Sequence, residues 1–114
     1  MKRKSPEHDI HRAVVQHLKA RARPGVVWFH VPNAPRNAIA GARLKQLGMR
    51  AGVSDLILFH TGNLFALELK APKGVESLAQ MEFQSDIRLA GGFTGVANNL
   101  DAAIDMLKLW ELLK

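Results

Sequence analysis

The feature that most constrains this chain is a pair of apolar runs joined by a short turn. Asp55-Leu56-Ile57-Leu58-Phe59 is followed by His60-Thr61-Gly62-Asn63, then by Leu64-Phe65-Ala66-Leu67-Glu68-Leu69-Lys70. Two such runs around a Gly-containing turn predict a β-hairpin. Glu68 and Lys70 interrupt the second run at i and i+2. Side chains alternate across a strand, so both point to one face while Leu67 and Leu69 point to the other. A loop at Thr61-Gly62 places Asp55 opposite Glu68, and a loop at Gly62-Asn63 places it opposite Lys70. Either register keeps Asp55, Glu68 and Lys70 on one face. Neighbouring carboxylates repel and raise a pKa unless something positive lies between them. Lys70 offers one charge, in a cross-strand ion pair with Asp55 or Glu68. A hard divalent cation offers more, and oxygen ligands suit Mg²⁺ or Mn²⁺.

The rest of the chain supplies elements to cover such a hairpin. Ser5 can cap a helix, Pro6 suits its first position, and Glu7 sits well at the positive end of the dipole. Ile10, Val14 and Leu18 then recur at i+4, with Ala13 and His17 beside them, to about Ala22. Val26 to Val31 reads as a strand stopped by Pro32. Residues 33–37 read as a loop, and Ala38 to Leu47 as a short helix capped by Gly48. Ser77 to Ala90 reads as a helix closed by Gly91-Gly92, and Phe93 to Ala97 as a strand. Leu100 to Leu113 reads as a last helix, with Ala103, Ile104, Leu107 and Trp110 on one face and Asp101 favouring its start. The order α-β-(α)-β-β-α-β-α predicts an α/β fold, a small mixed sheet flanked by helices.

Length and charge narrow the function. At 114 residues the chain is expected to be one domain, 1–114, with no repeat or linker. It has no Cys, which excludes disulfide scaffolds and Cys-based zinc sites. His8 and His11 stand at i,i+3, but no third ligand is evident, so zinc is not expected. No apolar run approaches a membrane span, and no apolar stretch follows the basic Met1-Lys2-Arg3-Lys4, so neither a membrane partner nor a signal peptide is expected. Residues 1–50 carry eleven Lys/Arg and two acids, against five and eight in residues 51–114. With a pI near 10.2 this uneven charge suggests a polyanion partner, the alternative being a solvated basic surface. Arg36, Arg43, Lys45 and Arg50, around the short helix, are the candidate phosphate contacts.

Gly52-Val53-Ser54-Asp55-Leu56 followed by Glu68-Leu69-Lys70 resembles the Asp…(Asp/Glu)-x-Lys core of the PD-(D/E)XK (restriction-endonuclease-like) nuclease superfamily. Flanking pieces resemble its VRR-NUC family, of the stand-alone type found in phages and bacteria. They are Glu7-His8, His30-Val31-Pro32-Asn33, Leu44 to Gly52, Lys73-Gly74, Ser77-Leu78-Ala79-Gln80 and Gly91-Gly92-Phe93. Ser54 departs from the usual Pro before the Asp.

The resemblance implies a metal-dependent DNA endonuclease. Asp55, Glu68, the Leu69 carbonyl and Glu7 would hold Mg²⁺ or Mn²⁺. Glu7 lies three residues before Ile10, on the inward stripe of its helix. Lys70 would orient or deprotonate the attacking water, and Gln80 would help hold Lys70 or that water. His30, Asn33 and Lys73 would join the basic residues along the DNA. The expected substrate is a four-way (Holliday) junction, cut by a homodimer in the cytoplasm of a bacterium or phage-infected cell. Leu107, Leu109, Trp110, Leu112 and Leu113 could supply the dimer surface or finish the core. The alternatives are a catalytically silent nucleic-acid-binding module and a flap- or RNA-directed nuclease.

Overall fold

The structure of the chain is a computed structural model that describes residues 6–32 and 37–114. The expected cap at Ser5 and the candidate contacts Asn33 and Arg36 lie outside the described residues. The elements are α1 (Pro6–Arg21), β1 (Val27–His30), α2 (Ala38–Gln46), β2 (Leu56–His60), β3 (Asn63–Leu69), α3 (Leu78–Leu89), β4 (Phe93–Ala97) and α4 (Leu100–Leu109). This is the order and α/β class expected from the sequence.

Turn chemistry sets the centre of the sheet. Thr61 and Gly62 have φ of 48° and 82°, and β2 pairs with β3 so that Leu56 faces Leu67 and Phe59 faces Leu64. Two positive φ values in a two-residue loop match the right-handed twist of a hairpin. Of the two registers open to the sequence, this is the one with Thr61-Gly62 as the loop. β1 adds antiparallel to β2, and β4 adds parallel to β3, giving the order β1-β2-β3-β4. The parallel step needs a crossover, which α3 supplies.

Strand alternation divides the apolar residues between two layers. Leu56, Leu58, Phe65, Leu67 and Leu69 pack against Val14 and Leu18 of α1 and Ile104 and Leu107 of α4. Ile57 and Ala66 point the other way, against Phe83 and Ile87 of α3. Gly52 has φ +80°, and a Cβ there would stand 2.3 Å from the Ala79 carbonyl carbon. Only glycine lets the segment entering β2 press this closely on the first turn of α3.

The last helix is shorter than its sequence predicts, which corrects the expected span to Leu113. It ends at Leu109, because Glu111 turns left-handed at φ 60°. Glu111 N–H then donates to the Lys108 carbonyl and Leu112 N–H to the Leu107 carbonyl, both at 2.9 Å. This closes the helix end as a Schellman motif. The chain then runs back beside α1. Lys114 N–H donates to the Arg21 carbonyl and Arg23 N–H to the Leu112 carbonyl. Leu107, Leu112 and Leu113 are fully buried, and Trp110 packs at a tilt against Phe65 with ring centroids 5.1 Å apart. These residues finish the core, one of the two roles the sequence left open to them; of that group Leu109 alone is exposed.

Candidate metal centre

The β2–β3 ladder stops at Leu56 and Leu67, and the next positions carry acids on the α3 side of the sheet. Asp55 stands just before β2. Its Oδ2 accepts the Leu69 N–H at 2.7 Å, taking the place of a backbone carbonyl in the ladder. Its own carbonyl accepts the Val31 N–H at 3.0 Å. Asp55 is therefore fixed at both ends by neighbouring strands.

Glu68 lies on β3, only 2% exposed. Its Oε1 accepts from Gln80 Nε2 at 3.2 Å. Gln80 is itself held by the start of α3. Ser77 caps that helix and accepts the Gln80 N–H, while Gln80 Oε1 accepts the Ser77 N–H at 2.8 Å. This capping box aims the remaining amide group at Glu68. The hydrogen bond Gln80 makes in the site is thus to Glu68, not to Lys70. The other oxygen, Glu68 Oε2, is buried with no donor.

Glu7 enters from the first turn of α1, and one oxygen from each of Glu7, Asp55 and Glu68 lies within 4.8 Å of the others. Burial, then the Asp55 charge and hydrogen bonding with Asp55, push the Glu68 carboxyl up to about 9, with Lys70 opposing and Glu7 adding a smaller push. Such a site is stable with either a proton or a cation among the carboxylates. Three converging oxygens and the unpartnered Oε2 suit a hard divalent ion.

His30, the last residue of β1, donates from Nδ1 to the Asp55 carbonyl at 2.8 Å, a carbonyl being able only to accept. Its ring meets the His11 ring edge-on, with centroids 4.5 Å apart. Burial, then the neighbouring His30, lowers the His11 pKa, against an opposite pull from Asp55. His11 was not among the expected site residues. Its signal in the sequence is its place four residues after Glu7, on the same face of α1. The sequence pairs His11 only with His8; the fold instead brings His30 and Asp55 close to His11.

The basic candidates differ in their surroundings. Arg43 and Lys45 are exposed in the last turn of α2, a helix with no buried residue. Lys73 is exposed in the turn after Lys70. Arg50 forms an ion pair with Asp86 at 2.6 Å and lies over the Phe83 ring. Its charge is already matched within the protein.

No family model and no curated protein matches the sequence. A solved structure described as a VRR_NUC domain protein does match in three dimensions, with a TM-score of 0.77 over 99% of this chain and 94% of that one. The fold is that of a VRR_NUC domain. Sequence identity to that structure is 20%, so the likeness is one of architecture. In this chain the VRR_NUC fold brings the start of α1, the ends of β1 and β3, the entry to β2 and the cap of α3 to one place. Glu7, Asp55, Glu68, Gln80 and His30 all converge there.

Proposed function

We propose that the chain is a metal-dependent endonuclease of the VRR-NUC family that hydrolyses phosphodiester bonds in DNA. The observation that carries this reading is Glu68, buried on β3 with one oxygen unpartnered and with Asp55 and Glu7 beside it. A structural acid would be expected to have donors on both oxygens, and a repelling trio would be expected to be dispersed. Glu7, Asp55 and Glu68, with the Leu69 carbonyl, would hold Mg²⁺ or Mn²⁺. When bound, such an ion neutralises phosphate charge and acidifies a water molecule.

The chain's own residues do the rest. Leu69 N–H holds Asp55 in one orientation, and Gln80 does the same for Glu68. Lys70 follows β3 on the Glu68 side of the sheet, where its cation orients the attacking water and offsets charge developing on the phosphate. Arg43, Lys45 and Lys73 contact the phosphates that flank the cut. We propose a branched substrate, a four-way junction, cut by two copies of the chain acting together. The resemblance to stand-alone VRR-NUC domains supports this. No helix among the described residues is long and apolar enough to cross a membrane.

The deciding experiment is cleavage of a labelled four-way junction, a flap and a linear duplex, with Mg²⁺, Mn²⁺ or EDTA. Cutting that requires the metal, favours the junction and disappears in Glu68→Gln is expected. Metal-independent cutting, or a Glu68→Gln variant of normal activity, would refute the assignment. Light scattering showing only monomer would remove the paired action.

A further inference from the structure

Two imidazoles lie beside the carboxylate cluster without belonging to it. One nitrogen from each of His11 and His30 and one Asp55 oxygen lie within 4.8 Å of one another. We propose that His11, His30 and Asp55 form a second metal site, which takes a borderline transition-metal ion of the Zn²⁺ or Co²⁺ class in preference to Mg²⁺ and shares Asp55 with the carboxylate cluster.

Hydrogen bonding prepares His30 for this role. Because Nδ1 donates to the Asp55 carbonyl, Nε2 keeps a free lone pair and the ring is held in place. Ligating histidines ordinarily have such an outer partner, which fixes both tautomer and orientation.

The three ligands are also placed by rigid elements. His11 lies on α1, His30 ends β1 opposite Leu56, and Asp55 precedes Leu56 on the next strand. Val14 and Leu18 anchor α1 on the same core that holds Leu56. Around a tetrahedral ion with bonds of about 2.0–2.1 Å, neighbouring ligands stand about 3.3 Å apart. The ligand atoms, within 4.8 Å of one another, would approach that spacing by side-chain rotation.

Ligand chemistry separates the two sites. Glu7, Asp55 and Glu68 offer oxygen alone, which suits Mg²⁺ and Mn²⁺. Two imidazole nitrogens and one carboxylate suit Zn²⁺, Co²⁺ or Ni²⁺, and Mg²⁺ competes poorly for nitrogen. With no Cys in the chain, no thiolate competes for such ions. The inference touches the nuclease reading only through Asp55 and holds whether or not the chain cuts DNA.

The test uses the untagged full chain and Co²⁺ alone, followed by visible absorption and NMR. One Co²⁺ per chain is expected, with absorption bands that survive excess Mg²⁺ and hyperfine-shifted imidazole signals in the unmutated protein. His11→Asn and His30→Asn, checked for folding by circular dichroism, should each weaken Co²⁺ binding about tenfold or more. His17→Asn should not, because His17 pairs with Arg21 on α1 and lies outside the cluster. Glu68→Gln should leave the bands in place. Bands that Mg²⁺ displaces and Glu68→Gln removes would put the ion in the carboxylate cluster, ending the second site while upholding the first. Absence of shifted imidazole signals, or unchanged binding in both histidine variants, would also overturn the proposal. Mn²⁺ binding followed by electron paramagnetic resonance, in wild type and Glu68→Gln, tests the carboxylate cluster independently.

Discussion

The side-chain amide of Gln80 joins two structures: its oxygen closes the cap of α3 on Ser77, and its nitrogen donates to Glu68 at 3.2 Å. Substitution at this position can separate the two roles. Gln80→Ala removes both and should cost about 1 kcal/mol through the cap, with or without metal. Gln80→Glu keeps a capping-box residue but sets another carboxylate against Glu68. Without metal it should lose more stability than wild type as pH rises toward 9, where Glu68 gives up its proton, and it should recover when Mg²⁺ is added. Urea unfolding under both conditions checks this, and a metal-free Gln80→Glu as stable as wild type would rule it out.

The Glu68 proton makes metal-free stability depend on pH. The carboxyl titrates near 9 in the folded chain against an ordinary 4.5, so between these values the folded state holds a proton that the unfolded state lacks. Its stabilisation is complete below about pH 4.5 and is lost as pH rises toward 9, with a slope of at most about 1.4 kcal/mol per pH unit for one proton. Unfolding monitored by Trp28 and Trp110 fluorescence should show this decline, and Glu68→Gln should flatten it. Calorimetry of Mn²⁺ binding at pH 7, in buffers of different ionisation heat, should show release of about one proton.

The exposed bases should control DNA affinity unequally. Arg43→Ala with Lys45→Ala should reduce the slope of log affinity against log salt by about one to two units. Arg50→Ala should change that slope little, since its partner is Asp86. Fluorescence anisotropy across a salt series separates the two outcomes, and a larger effect from Arg50 would move the interface toward α3.

The C-terminal turn should behave as part of the core. Leu112→Ala should cost about 2–5 kcal/mol, the range for large-to-small changes at fully buried sites. Glu111→Gly should stabilise by up to about 1 kcal/mol, because glycine adopts the left-handed φ without penalty. Denaturant midpoints at constant slope test both.

Much of this architecture is written locally. The hairpin, its one-faced acids, the Gly48 and Gly91 helix ends and the order of elements follow from alternation, capping and turn chemistry, which act over a few residues. The C-terminal end of α4 was not legible, because Glu111 takes a left-handed φ that favours glycine and carries no such signal. Both hairpin registers keep the same residues on the same face, so alternation could not choose between them. Tertiary packing alone decided the convergence. Val14 and Leu18 seat α1 on the sheet, which carries Glu7 and His11 to the strand ends, and Gly52 brings the cap of α3 close enough for Gln80 to reach Glu68. A helical period states which face is buried, but not which distant residues that face will meet, since that depends on how separate elements share one core.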